Sequence, residues 1–335
     1  MDPGQLAWSG HRSSGQGSRV VPLRCDAVDD PTAGEPRLSV VVVVHDMARE
    51  LPRTLRSLSP SHQIGIDAAD YEVVVVDNGS ARPVDELVRS FAGRARLERL
   101  DPAPPSPVAA ANRGLELAAA PLVGLVIDGA RLASPGLLAG ALRAAALCDR
   151  AVITAPAFHL GEVTHMRAAE VGYDTAAEDR LLEASGWEDD GYRLFEVSTP
   201  AGSSGRGLFG PMGESSSLFL HRETWRALGG LDERFRIPAG GLANHDLYRR
   251  ACLLEGAELV VLLGEGTFHQ HHGGAATSRR FTWDEMHEDY VAIRGEAHRP
   301  PSTEPLYLGR VPEAMLPFVE RSARQAIDRR AHRDQ

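Results

Sequence analysis

Pro121-Leu-Val-Gly-Leu-Val-Ile127, followed at once by Asp128-Gly-Ala-Arg131, is an almost purely apolar run of strand length that stops at one carboxylate and one guanidinium. It is too short to cross a membrane and lacks the alternation that would keep one face in water, so it reads as a strand covered on both faces. Asp128 then stands at its carboxyl end. In an open α/β sheet, loops from several strands converge over that edge, and ligands bind there. Taken alone, the stretch fits a ligand-facing carboxylate and a solvated turn aspartate equally.

Two similar runs precede it. Leu38-Ser-Val-Val-Val-Val-Val44 halts at His45-Asp46, and Tyr71-Glu-Val-Val-Val-Val76 halts at Asp77-Asn78-Gly79-Ser80, whose Asn-Gly pair suits a tight turn. Helical spacing follows each of them, with Leu51, Leu55 and Leu58 on one stripe and Val84, Leu87, Val88 and Phe91 on another. A short strand is expected near 95–100, then a Pro-rich loop and an Ala-rich helix over 108–119 that carries Asn112 and Arg113. This order of strands and helices implies right-handed crossovers and a mainly parallel sheet of α/β class. Its edge then gathers His45, Asp46, Asp77, Asn78, Asp128 and Arg131 into a candidate nucleotide site.

Beyond Arg131, Ser134-Pro135 predicts a helix start, 151–155 a strand, Asp174 a helix cap and 193–197 a strand. Thr199-Pro-Ala-Gly-Ser-Ser-Gly-Arg-Gly207 reads as a mobile loop near the substrate or as a plain surface insertion. A strand at 216–220 and a helix stopped by Gly229-Gly230 come next. Asn244 reads as the N-cap of an amphipathic helix over 245–254, which places Asp246 in its first turn, where the helix dipole favours the ionised form. A strand at 258–263 leads to His269-Gln-His-His272, a cluster suited to a metal or a phosphate but without a defined ligand spacing. A helix is expected over 283–293 and a charged helix at the C-terminus.

Composition bounds the function. A chain of 335 residues with 43% hydrophobic and 24% charged residues can bury a full core, and its net charge of -10 argues against general nucleic-acid binding. Cys25, Cys148 and Cys252 are scattered and odd in number, which indicates neither a disulfide framework nor a zinc ribbon and fits a reducing cytoplasm. No signal-like or membrane-spanning apolar run is present, so a cytoplasmic location is expected, with room for peripheral contact at the inner face of the membrane.

Taken together, these pieces resemble the family-2 glycosyltransferases, inverting enzymes of the GT-A fold. The resemblance covers roughly 38–274. It rests on the 39–45 strand, Tyr71 to Ser80, Ala111-Asn-Arg-Gly114, the Asp128 strand, Gly229-Gly-Leu-Asp-Glu-Arg-Phe235, Asp246-Leu-Tyr-Arg-Arg250 and Glu265-Gly-Thr-Phe-His269. It implies a GT-A α/β fold with a nucleotide-binding half at about 37–133 and an acceptor half at about 134–275, after a disordered leader over 1–36 and before a helical extension over 276–335. The implied reaction moves a sugar from a nucleoside-diphosphate sugar, a UDP-sugar being the expected donor, to a hydroxyl acceptor in bacterial polysaccharide or glycoconjugate assembly.

By the same resemblance Asp77 recognises the base, His45, Asp46, Asn78, Asn112 and Arg113 border the nucleotide-sugar, Asp128 lies near ribose and metal, Asp246 is the general base and His269 a metal or phosphate ligand. One departure matters. Ala130 stands where the family's second Asp of Asp-x-Asp would be. Asp128 and His269 are then a sparse set for Mn or Mg, and Arg131 is an alternative source of positive charge for the leaving group. Two other readings stay open: a non-catalytic nucleotide-sugar-binding domain, and a metal-dependent hydrolase built on the 269–272 loop. A dinucleotide oxidoreductase is disfavoured, since His45-Asp-Met-Ala follows the first strand in place of a glycine-rich turn.

Overall fold

The computed structural model describes residues 34–126, 128–272 and 282–332, so the leader expected over 1–36 falls almost wholly outside the described residues. The valine runs form the centre. Strands β1 (Leu38–Val44) and β2 (Tyr71–Asp77) pair in parallel along their full length. Alternation sends Val41, Val43, Val74 and Val76 into one apolar layer and Val40, Val42, Val44, Val73 and Val75 into the other. Both faces are therefore covered, and burying each valine contributes on the order of 1.5 kcal/mol. Helix α1 (Leu51–Ser57) lies between these strands in sequence; α2 (Asp85–Arg89), β3 (Ala95–Arg99) and α3 (Val108–Leu117) lead on to β4 (Leu122–Val126), which pairs with β1 in parallel.

The rest of the chain extends this sheet and adds a second one. In chain order the elements are β5 (Arg131–Ala133), α4 (Leu137–Ala145), β6 (Ala151–Thr154), β7 (Ala157–Leu160), α5 (Thr175–Ser185), β8 (Ser198–Pro200), β9 (Ser217–His221), α6 (Arg222–Leu228) and α7 (Ala243–Cys252). They continue with β10 (Glu258–Leu263), β11 (Thr267–His269), α8 (Trp283–Arg294), β12 (Leu306–Gly309) and α9 (Leu316–Ala331). Among the described residues the large sheet has the order β12-β10-β6-β9-β4-β1-β2-β3, and a small sheet has the order β5-β11-β7-β8. Within the large sheet β9 runs antiparallel to β4 and β6. That reversal brings the residues before Ser217 to the edge at which β1, β2 and β4 end.

Several sequence expectations are corrected. The strand expected at 193–197 is a 3-10 turn, Gly191–Phe195, because Asp190 caps it by accepting from the Tyr192 N–H and the turn buries Leu194 and Phe195. The Gly/Ser-rich 199–207 segment supplies β8, an edge strand paired with β7, and a short 3-10 turn. Ser134 does not cap α4; its hydroxyl donates to the buried Glu265 at 2.5 Å. The boundary expected at 275 is crossed by β12, which pairs with β10 in the large sheet. Asp174, by contrast, does cap its helix, accepting from the Ala177 N–H at 2.7 Å.

Gly124 shows how tightly the centre is packed. It sits opposite Phe219 across β4 and β9, and a Cβ there would fall well inside contact distance of the buried Phe219 ring. Gly124→Ala is expected to cost about 1–3 kcal/mol by overpacking, read as a lower denaturation midpoint with an unchanged slope.

Candidate active site

The small sheet builds the site. Antiparallel pairing sets Arg131 of β5 opposite His269 of β11, and parallel pairing sets His269 beside His159 of β7. Residues paired across neighbouring strands point to one face, so a guanidinium and two imidazoles stand in a row. Asp128 closes the end of that row. Its Oδ2 accepts from Arg131 Nε at 3.0 Å and lies 3.6 Å from His269 Nε2, while its Oδ1 accepts from the Ala130 N–H at 3.0 Å. His272 Nε2 is 3.0 Å from His269 Nε2. Arg131 keeps a buried Nη1 without a hydrogen-bond partner, so it has donor capacity to spare.

Two groups of side chains bring one ligand atom each to within 4.8 Å of one another: Asp128, His269 and His272, and also His159, His165 and His269. Hydrogen bonding separates them. His159 Nδ1 accepts from the His165 backbone N–H at 2.8 Å, so a neutral His159 carries its proton on Nε2 and has no lone pair to give there. The His165 Nε2–H donates to the Leu160 carbonyl at 3.1 Å. His159, half-buried, and the buried His165 therefore form a stack, with ring centroids 4.4 Å apart. The first group, one carboxylate and two imidazoles, is the set whose chemistry fits a divalent transition cation.

Burial, then the positive charges around them, hold these rings neutral. His159 and His165 are each pushed down to about 3, and His269 lies well below the usual histidine range, with Arg131 adding to the burial in each case. The 269–272 segment is fixed from behind by Glu178, which accepts from the His271 N–H at 2.6 Å and from Arg49 at 3.3 Å. Burial raises Glu178 to about 7 against the pull of that N–H and of Arg49.

At the other end of the edge, the turns after β1 and β2 are clipped together. The His45 Nδ1–H donates to the Asn78 carbonyl at 2.9 Å, Asp46 N–H donates to Ser80 Oγ at 2.9 Å, and Asp46 Oδ1 accepts from Ala81 N–H at 2.7 Å. Asp46 takes up the left-handed region at φ 52° to do so. The role expected for Asp77 meets a physical obstacle. Its carboxylate is buried, accepts from Ser80 N–H at 2.8 Å and from Arg99 Nη1 at 3.0 Å, and so shapes the turn. The neighbouring Asn78 Oδ1 is buried with no partner, which makes it the acceptor still open at this turn.

The structure does not bring Asn112, Arg113 or Asp246 into the site as free groups. Asn112 exchanges hydrogen bonds with the Leu231 backbone, and Arg113 is paired with Glu98 and Glu116. Asn244 does not cap α7, whose N-cap is Leu242; its amide donates to Glu214 Oε2 at 2.8 Å and to the Ser215 carbonyl at 2.7 Å. Asp246, expected as general base, is 1% exposed and accepts from Arg250 Nε at 2.8 Å and from Arg294 Nε and Nη2 at 2.6 Å each. Both oxygens are committed to two guanidiniums, which makes Asp246 the centre of an ion-pair cluster joining α7 to α8. Glu214 was not singled out by sequence; no motif surrounds it, and only the antiparallel β9 carries it to this edge.

Residues 39–196 match the model of glycosyl transferase family 2. The fold is GT-A. Among solved structures, the mannosyltransferase PcManGT from Pyrobaculum calidifontis, in complex with GDP-Man and Mn2+, is 17% identical with a TM-score of 0.50, over 92% of this chain and 73% of that one. S. aureus TarS 1-349 in complex with UDP-GlcNAc is 13% identical with a TM-score of 0.51, over 78% of this chain and 68% of that one. Against two other TarS structures the chain spans 60% of TarS 1-349 and 42% of the longer TarS. At these identities the likeness shows the fold. No curated protein matches the chain. Among the described residues no helix is long and apolar enough to cross a membrane.

The neutral stack makes a pH prediction. His159 and His165 have folded values near 3 against an ordinary value of 6.5, so the unfolded chain takes up protons first as pH falls. Their contribution is fully present above about 6.5 and is lost between about 6.5 and 3. The thermal midpoint should therefore drop across that window, and His159→Gln should flatten the drop in a scan of unfolding against pH.

Proposed function

We propose that the chain transfers a glycosyl group from a nucleoside-diphosphate sugar to a hydroxyl acceptor with inversion at the anomeric carbon, in polysaccharide or glycoconjugate assembly. The observation that carries this reading is a pair of unlike groups past the carboxyl ends of the parallel strands β2 and β4: the turn after β2, and the small-sheet row that Asp128 closes just past β4. The turn offers a buried, partnerless acceptor, Asn78 Oδ1, beside the exposed His45 ring; the row offers Arg131 with a spare donor beside Asp128, His269 and His272. A nucleotide sugar has the matching polarity, with a base N–H at one end and a dianionic diphosphate at the other. The match of residues 39–196 to the glycosyl transferase family 2 model supports the same reading.

In this reading Asn78 accepts from the base, the clipped turns at 45–46 and 78–81 border the nucleoside, and Arg131 donates to the diphosphate. As the bond from the anomeric carbon to phosphate oxygen breaks, charge grows on that oxygen. A fixed guanidinium aimed at it stabilises the transition state more than the ground state. Asp128, His269 and His272 would hold a Mn-type cation, whose charge would further offset the leaving group; two imidazole ligands favour Mn over Mg. Ala130 offers no second carboxylate, and His272 would supply the third ligand instead.

Calorimetric titration of UDP, GDP and dTDP, each with manganese and again with chelator, tests this. One nucleotide should bind, more tightly with manganese. His272→Gln should abolish the manganese effect, and Arg131→Ala should lower turnover by about 100-fold or more. Absence of binding by all three nucleotides in both conditions would sink the proposal.

A further inference from the structure

Inverting transfer needs a base for the acceptor hydroxyl, and Asp246 is spent on Arg250 and Arg294. A carboxylate whose two oxygens already accept three charge-assisted hydrogen bonds has no free oxygen to turn toward an acceptor hydroxyl. The base must come from another carboxylate on the same edge. The register of β4 with β9 points to one. Val126 is paired with Ser217 in antiparallel sense, so the chain just before Ser217 rises beyond the sheet level with the chain just after Val126, where Asp128 lies.

Glu214 occupies that rise. Its Oε2 accepts from Asn244 Nδ2 at 2.8 Å and lies 3.5 Å from His245 Nδ1, which fixes the carboxylate against the first turn of α7. Among the described residues no hydrogen bond engages Oε1, and the side chain is 23% exposed, so one oxygen is held in place and the other is open. Burial pushes Glu214 up, but His245, Arg131 and the Asn244 amide outweigh it and hold the group below the usual carboxylate range. It is thus ionised at neutral pH.

We propose that Glu214, and not Asp246, is the catalytic base of this chain; the assignment rests on the sugar-transfer reading above. Glu214 Oε1 takes the proton of the acceptor hydroxyl. The oxygen's electron pair forms the new bond to the anomeric carbon, and the bond to the phosphate oxygen breaks with its pair leaving on the nucleoside diphosphate. Asn244 and His245 position the base. Asp246 is structural.

The test compares wild type, Glu214→Gln, Glu214→Asp and Asp246→Asn in three measurements: calorimetric binding of UDP and GDP, nucleotide release from UDP-GlcNAc and GDP-mannose with manganese, and thermal unfolding. Glu214→Gln should bind nucleotide like wild type, unfold at the same temperature and lose about 100-fold or more of the release rate. Glu214→Asp should recover part of that rate, since a carboxylate remains. Asp246→Asn should unfold at a lower temperature and, below its midpoint, keep the release rate within about tenfold. A wild-type chain that binds and turns over a donor while Glu214→Gln does so equally fast overturns this assignment alone. The same holds if Asp246→Asn abolishes release at unchanged stability. A wild-type chain that binds neither nucleotide overturns the sugar-transfer reading and this assignment with it.

Discussion

The register of three short strands governs the site. Because β11 lies between β5 and β7, Arg131, His269 and His159 stand side by side, and alternation turns Phe268 to the opposite face. There Phe268 stacks on Phe158 at 5.5 Å and meets Phe195 edge-on at 4.9 Å, all buried. A slip of one residue would exchange the two faces, putting imidazoles into the aromatic core and phenyl rings into the polar row. The packing of Phe268 therefore decides what His269 faces, and the chemistry of the row is set by apolar contacts on its far side.

Buried charge is arranged in two ways around that row. Where charges are kept, they are matched: Asp246 by Arg250 and Arg294, and Asp77 by Arg99. Each such group would be costly alone, and pairing removes the penalty while fixing one element against another. Where groups are not matched, they are neutral, as the stacked histidines are. Arg131 is the exception. It is mostly buried, shares one oxygen of Asp128 and retains a donor with no protein partner, a cost that a site for an anionic ligand accounts for.

Much of the fold was legible because its signals are local. A run of valines has one economical fate, and the strands at 38–44, 71–77 and 122–126 emerge from composition and length with their carboxyl ends at one edge. Asp174 caps its own helix for the same reason, since a cap acts over three residues. Segments decided by distant partners were less legible. Thr199 looked like part of a loose loop and became an edge strand because β7 had a free side, and 306–309 joined the large sheet because β10 did.

The site divides along the same line. Sequence alone determined which residues end the central strands, because strand termination is written in the chain itself: His45, Asp77, Asn78, Asp128 and Arg131 stand at or just past those ends. Tertiary structure alone decided which of them remain free to act. Arg99 closes on Asp77 from another strand, Arg294 reaches Asp246 from across α7, and an antiparallel strand raises Glu214 beside the polar row. A carboxylate's identity is encoded at one position, but its availability depends on partners brought together from 22 to 48 residues away, as in these two pairs, and no local pattern records them.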